Sequence, residues 1–155
     1  MKKWPWYLGA LVLIGVLGWE PFQGTDVARL QPVEVVCVTV EGNTVTVWTD
    51  TGDLGQGADP QAAFEDLKQT TAGQVFLETA DFILVNEEAA ELLPLLGEYL
   101  RPACGVCLVA DAVDMEKVGD FLDVHSPDVT LQDCRAGEQT LPRLTVNEER
   151  MELVS

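Results

Sequence analysis

VEVVCVTVEGNTVTVWTD, residues 33–50, is the stretch whose reading decides the fold. Pro32 opens it. On an extended chain Val33, Val35, Cys37 and Thr39 share one face, and Val36, Val38 and Val40 share the other. Both faces are mostly apolar, which predicts a central strand covered on both sides. Glu41-Gly42-Asn43 is a turn signal, and residues 44–50 follow with period-two character. Together the two runs predict a β-hairpin.

Downstream, residues 51–58 (TGDLGQGA) are rich in glycine. Gly52, Gly55 and Gly57 invite a phosphate-loop reading, but no Gly-Lys-Ser/Thr follows and the spacing is not the dinucleotide fingerprint. A flexible crossover is expected there. Asp59 at an N-cap and Pro60 at the first helical position then start a helix. It should run to about Thr71 with Ala63, Phe64 and Leu67 inward, and Gly73 stops it. Residues 75–85 (VFLETADFILV) form the next strand region, with Thr79-Ala80-Asp81 as an interruption. Asn86 is a second N-cap, and Glu87 and Glu88 suit the positive end of a helix dipole. The helix it opens carries Leu92, Leu93, Leu95, Leu96, Tyr99 and Leu100. Pro94 should kink or divide it, and Arg101-Pro102 closes it.

Residues 104–112 (CGVCLVADA) predict a strand, and Asp114 caps a short helix bearing Met115, Val118, Phe121 and Leu122. Residues 129–131 suggest a short strand, followed by a polar loop. Residues 141–146 and 150–154 give two more extended pieces. The order β-β-α-β-α-β-α-β points to an α/β fold: a mixed β-sheet with an N-terminal hairpin and packed helices. There is no internal repeat.

Upstream lies MKKWPWYLGALVLIGVLGWE, residues 1–20. Lys2 and Lys3 precede an apolar run from Trp4 to Gly18 that contains no charge. At helical rise the run spans roughly 22 Å, against about 30 Å of hydrocarbon in a bilayer. Trp4, Trp6, Tyr7 and Trp19 have the placement of interfacial aromatics, which extends its effective length. Residues 1–19 are therefore expected to be a membrane anchor helix; a cleaved signal is the alternative, with secretion as its consequence. The two lysines predict the N-terminus in the cytoplasm and the bulk outside. Residues 20–31 read as a linker and residues 32–155 as one extracytoplasmic domain.

The 155 residues hold 9 Lys and Arg against 26 Asp and Glu, a net charge of −17, with 47% hydrophobic residues. The apolar share is ample for a core. Nucleic acid is excluded as a partner, because a phosphate backbone needs clustered basic residues. An anionic membrane surface would also repel the domain.

Candidate chemistry centres on four cysteines, Cys37, Cys104, Cys107 and Cys134, for which disulfide or free thiol both stay open; four cysteines allow three connectivities. Cys104-Gly105-Val106-Cys107 is a CxxC, yet it precedes a strand rather than opening a helix, where a dipole would lower the first thiol's pKa. Structural disulfides or buried thiols are expected, ahead of thiol–disulfide exchange or a zinc site completed by Cys37 and Cys134. Cys37 and Cys107 could pair or simply pack if their strands are neighbours. His125, the lone histidine, sits near Asp123, Ser126 and Asp128 but has no nucleophile elbow, so a capping or loop role is expected. Glu87, Glu88 and Glu91 read as a solvated helix start. No catalytic residue, metal or cofactor is expected.

Taken in order, several segments resemble the Ger(x)C family, the C subunit of nutrient receptors in bacterial spores. The matching pieces are Gly18-Trp19-Glu20, residues 35–47, Gly55-Gln56-Gly57 and Ala62-Ala63-Phe64. They continue with Phe82-Ile83-Leu84-Val85, Glu88-Ala89-Ala90, Tyr99-Leu100-Arg101-Pro102 and Leu141-Pro142. Trp19 stands where the family carries its lipid-acceptor cysteine, so the N-terminal helix is expected to hold the protein. The resemblance implies a non-catalytic, extracytoplasmic receptor-accessory module in spore germination, with polytopic membrane subunits as partners. The alternatives are a tethered thiol–disulfide oxidoreductase using Cys104 and Cys107, and an envelope scaffold unrelated to spores.

Overall fold

The computed structural model describes residues 30–110, 113–137, 140–147 and 150–154. The expected anchor at residues 1–19 and most of the linker at residues 20–31 lie outside the described residues. Among the described residues no helix is long and apolar enough to cross a membrane.

A seven-stranded mixed sheet carries the fold. Its strands are β2 (Val35–Glu41), β3 (Thr44–Thr49), β4 (Leu54–Gly57), β6 (Phe82–Val85), β7 (Gly105–Val109), β8 (Arg143–Asn147) and β9 (Arg150–Val154). Their spatial order is β4-β3-β2-β6-β7-β8-β9. The pairs β2–β6, β6–β7 and β7–β8 are parallel, while β2–β3, β3–β4 and β8–β9 are antiparallel. A second, two-stranded sheet pairs β1 (Leu30–Pro32) with β5 (Gln74–Phe76) in parallel. The end of the expected linker is thus a strand.

The hairpin reading of residues 33–50 holds, with Val38 opposite Val47 and Gly42 taking φ +61° in the turn, a region open to glycine. Val35, Val36, Cys37 and Val38 are all buried, as a two-sided central strand requires. Val33 departs from the alternation. The chain bends at Glu34, and Val33 joins Val36 and Val38 on the opposite layer from Val35. Its N–H donates to Thr79 Oγ1 at 3.0 Å and its carbonyl accepts from the same hydroxyl at 2.9 Å.

The first face of the sheet packs under four helices: α1 (Pro60–Thr70), α2 (Glu87–Ala90), α3 (Leu93–Leu96) and α5 (Leu131–Ala136). Phe64 and Leu67 of α1, Leu96 of α3 and Leu131 of α5 are fully buried there against Val36, Val38, Val47 and Ile83. Asp59 caps α1, its Oδ1 accepting from Ala62 N at 2.8 Å, with Pro60 in the first turn. The second face has one helix, α4 (Met115–Val124), capped by Asp114. Val118 and Leu122 press from it onto Val35, Phe82, Leu84, Cys107 and Leu144.

Two expectations change, the glycine-rich crossover and the short strand with its polar loop, and one holds, the division of the helix after Asn86. The glycine-rich crossover is the edge strand β4. A Cβ on Gly55 would stand 2.3 Å from the Ala63 carbonyl oxygen, and one on Gly57 2.4 Å from Ala63 N, so these glycines let α1 lie against the strand backbone. The long helix after Asn86 is divided: α2 ends before Leu92, and Pro94 sits in the first turn of α3, where its missing N–H costs nothing. The short strand at residues 129–131 is a single bridge from Thr130 to Gly105, and the polar loop after it is α5. Thr130 and Asp133 form a capping box, with Thr130 N donating to Asp133 Oδ2 at 2.9 Å.

Candidate functional site

The cleft begins with unequal coverage. Paired residues of an antiparallel ladder point to the same face, so Cys37, Trp48 and Leu54 form one row on the second face. Helix α4 covers the middle of that face but not β3 and β4. Trp48 is left 36% exposed and Leu54 42%. Beside α4 the uncovered sheet opens a cleft of about 430 Å³, within the range of small-molecule sites.

Cys37 and Thr39 of β2 line it, with Val109 and Ala110 at the end of β7 opposite. Trp48 and Thr49 form one wall, and Val113 and Met115, leading into α4, form another. Glu41 and Asn86 stand at the end where β2 and β6 run out. β2, β6 and β7 are parallel, and the cleft runs along β2 from Cys37 to their shared carboxyl end at Glu41, Asn86 and Ala110, the usual place for ligands on open α/β sheets.

Few of its polar groups are free. The Asn86 side chain is committed: Oδ1 accepts from Val40 N at 3.1 Å and from Ala89 N at 2.9 Å, while Nδ2 donates to the Val40 carbonyl at 2.9 Å. One amide therefore caps α2 and prolongs the β2–β6 ladder. Thr49 pairs with Val36 and so turns its hydroxyl toward the first face, where it bonds Thr51 Oγ1 at 2.7 Å. Burial pushes the Cys37 thiol up to about 12, so at neutral pH it is an uncharged, weakly polar group in the floor. Glu41 is exposed and forms no ion pair among the described residues.

The four cysteines are free thiols, and the structure does not assemble them. Cys104 lies in the first layer and Cys107 in the second, so the CxxC sulfurs point to opposite faces of the sheet. Burial pushes each up to about 12. A dithiol for exchange needs adjacent sulfurs and an accessible thiolate, and this arrangement provides neither. Cys37 and Cys107 both register on Leu84, one from each side. Two strand spacings separate them by about 9.6 Å, beyond the roughly 7 Å reach of a disulfide. They pack rather than pair. Cys134 is half-buried on α5, its pKa raised by burial and then by Asp133. Among the described residues no group of His, Cys, Asp or Glu is placed to hold a metal ion.

His125 stands at the far end of α4 from the cleft. Its ring stacks on Phe121 with centroids 4.5 Å apart, and Nδ1 lies 3.2 Å from the Phe121 carbonyl. Ser126 Oγ donates to the Leu122 carbonyl at 3.2 Å. Both residues finish a helix, as expected. Glu87 pairs with Arg143 of β8, and Glu88 and Glu91 are exposed. Trp4, Trp6, Tyr7 and Trp19, expected as interfacial aromatics, lie outside the described residues.

Sequence reasoning picked out Cys37 in this cleft but missed Trp48, Glu41, Val109 and Met115. The available signal was Trp48 in a period-two strand, a large aromatic with no helix predicted to cover it. No family model, curated protein or solved structure matches the chain.

Proposed function

We propose that the protein is a binding domain of the cell envelope, tethered to the membrane by residues 1–19 with its α/β body outside the cytoplasm. It works without catalysis, as a receptor-accessory module. The resemblance to the first domain of the Ger(x)C subunit makes spore germination the setting and polytopic membrane proteins the partners.

The observation that carries the proposal is the chemistry of the cleft. Its walls are largely apolar, its amide holds backbone groups through three hydrogen bonds, and its thiol is held neutral. Such a site suits a ligand; among the described residues it has no activated nucleophile paired with a base. The buried and divergent thiols of Cys104 and Cys107 weigh against a tethered oxidoreductase.

Two measurements test this. A reporter fused after residue 155 should read as extracytoplasmic, and a cytoplasmic signal would end the proposal. Detergent extracts of sporulating cells should yield the protein in complex with a polytopic membrane protein. The Cys104→Ala/Cys107→Ala variant should keep that complex. Its loss from a variant that remains folded by circular dichroism would favour the redox reading.

A further inference from the structure

We infer that the cleft at the carboxyl ends of β2, β6 and β7 takes a small organic cation: an amine carried on an aromatic or branched apolar body. The inference deepens the binding role proposed above and rests on it.

Polarity runs along the cleft. Same-face residues of a strand repeat at about 6.8 Å, so Cys37, Thr39 and Glu41 form a row about 14 Å long. Beside Cys37 stand the Trp48 indole and Met115, while Val109 lies across the floor level with Thr39. This end suits an apolar body. The other end offers the Thr39 hydroxyl and then the exposed Glu41 carboxylate.

Other ligand classes fit less well. An anion would meet Glu41 with no basic lining residue to offset it, inside a chain of net charge −17. A neutral polar ligand would find in Asn86 an acceptor already engaged twice and a single N–H left to donate. A bare divalent ion wants six or more oxygens, and among the described residues one carboxylate beside one hydroxyl falls far short. An ammonium group satisfies Glu41 while its apolar carrier covers the indole, which attracts cations through its ring face. The acidic surface raises the local concentration of cations as well.

The test titrates the full-length chain, in nonionic detergent at pH 7, with 2-phenylethylamine by calorimetry. 2-Phenylethanol and 3-phenylpropionate serve as neutral and anionic probes of similar shape. The amine should bind saturably, about tenfold or more tighter than the alcohol, with no binding of the carboxylate. Glu41→Gln, at an exposed position that leaves the fold intact, should erase the preference for the amine. Added salt should weaken the amine and leave the alcohol unchanged. Equal affinity for amine and alcohol, an unaltered Glu41→Gln variant, or no saturable binding would each overturn the inference. Heat from partitioning into micelles would survive Glu41→Gln unchanged and so also count against it. The membrane-partner complex is measured separately, so it can stand when the cation site fails.

Discussion

The two faces of one sheet are built to different standards. On the first, four helices seal Val36, Val38, Val47, Ile83 and Val106 away from water. On the second, a single helix seals Val35, Leu84 and Cys107 and stops before Trp48 and Leu54. The sealed face contributes stability and the half-sealed face leaves an open cleft. The difference follows from connectivity: the crossovers from β2 to β6 and from β6 to β7 place their helices on the first face, while α4 alone serves the second.

The comparison breaks most visibly at Leu67. Leu67→Ala should cost about 3–5 kcal/mol in urea unfolding, because Gly55 and Gly57 already hold α1 against the strand and it cannot settle into the void. The matching change on the other face, Leu122→Ala, should cost about 2–3 kcal/mol, since α4 has open space beside it in which to shift. Equal costs would remove the distinction.

Alkali tests both faces together. The thiols of Cys37, Cys104 and Cys107 are raised from about 9 in the unfolded chain to about 12 in the folded one. As pH rises past 9 the unfolded chain releases these protons first. The stabilisation is therefore full below pH 9 and lost progressively toward pH 12. The expected slope is about 1 kcal/mol per thiol per pH unit. Removing any one of the three should lower the slope by about a third, whichever face it occupies.

Smaller effects refine the picture. Thr130→Ala removes the cap of α5 on the first face and should cost about 1 kcal/mol by thermal unfolding. Leu54→Ser on the open row should change stability by less than about 0.5 kcal/mol. A larger loss there would mean that something covers the row.

The strands were legible in the sequence where their two faces differ from solvent in a simple way. Residues 35–40 declared a central strand because both faces are apolar, and Asp59-Pro60, Asn86 and Asp114 announced helix starts by local capping chemistry that needs no tertiary partner. Val33 was misassigned because period-two reasoning cannot see a bend, and the bend at Glu34 is held by Thr79, distant in the chain. The strand at Gly55 and Gly57 was hidden because its glycines answer to α1 rather than to β-propensity. Helix α5 had a readable capping box at Thr130 and Asp133, but its single buried residue, Leu131, gave no helical stripe. The cleft was least legible of all. It is defined by where α4 is absent, and no residue's own preference encodes a missing neighbour.

The parallel pairing of Leu30, Gln31 and Pro32 with Gln74, Val75 and Phe76 has a mechanical consequence. A pull delivered through the residues ahead of Leu30 reaches this ladder of three pairs before it reaches the seven-stranded body. So short a ladder yields at lower force than the sheet behind it, a fuse that lets out a few residues of chain while the seven-stranded body keeps its shape.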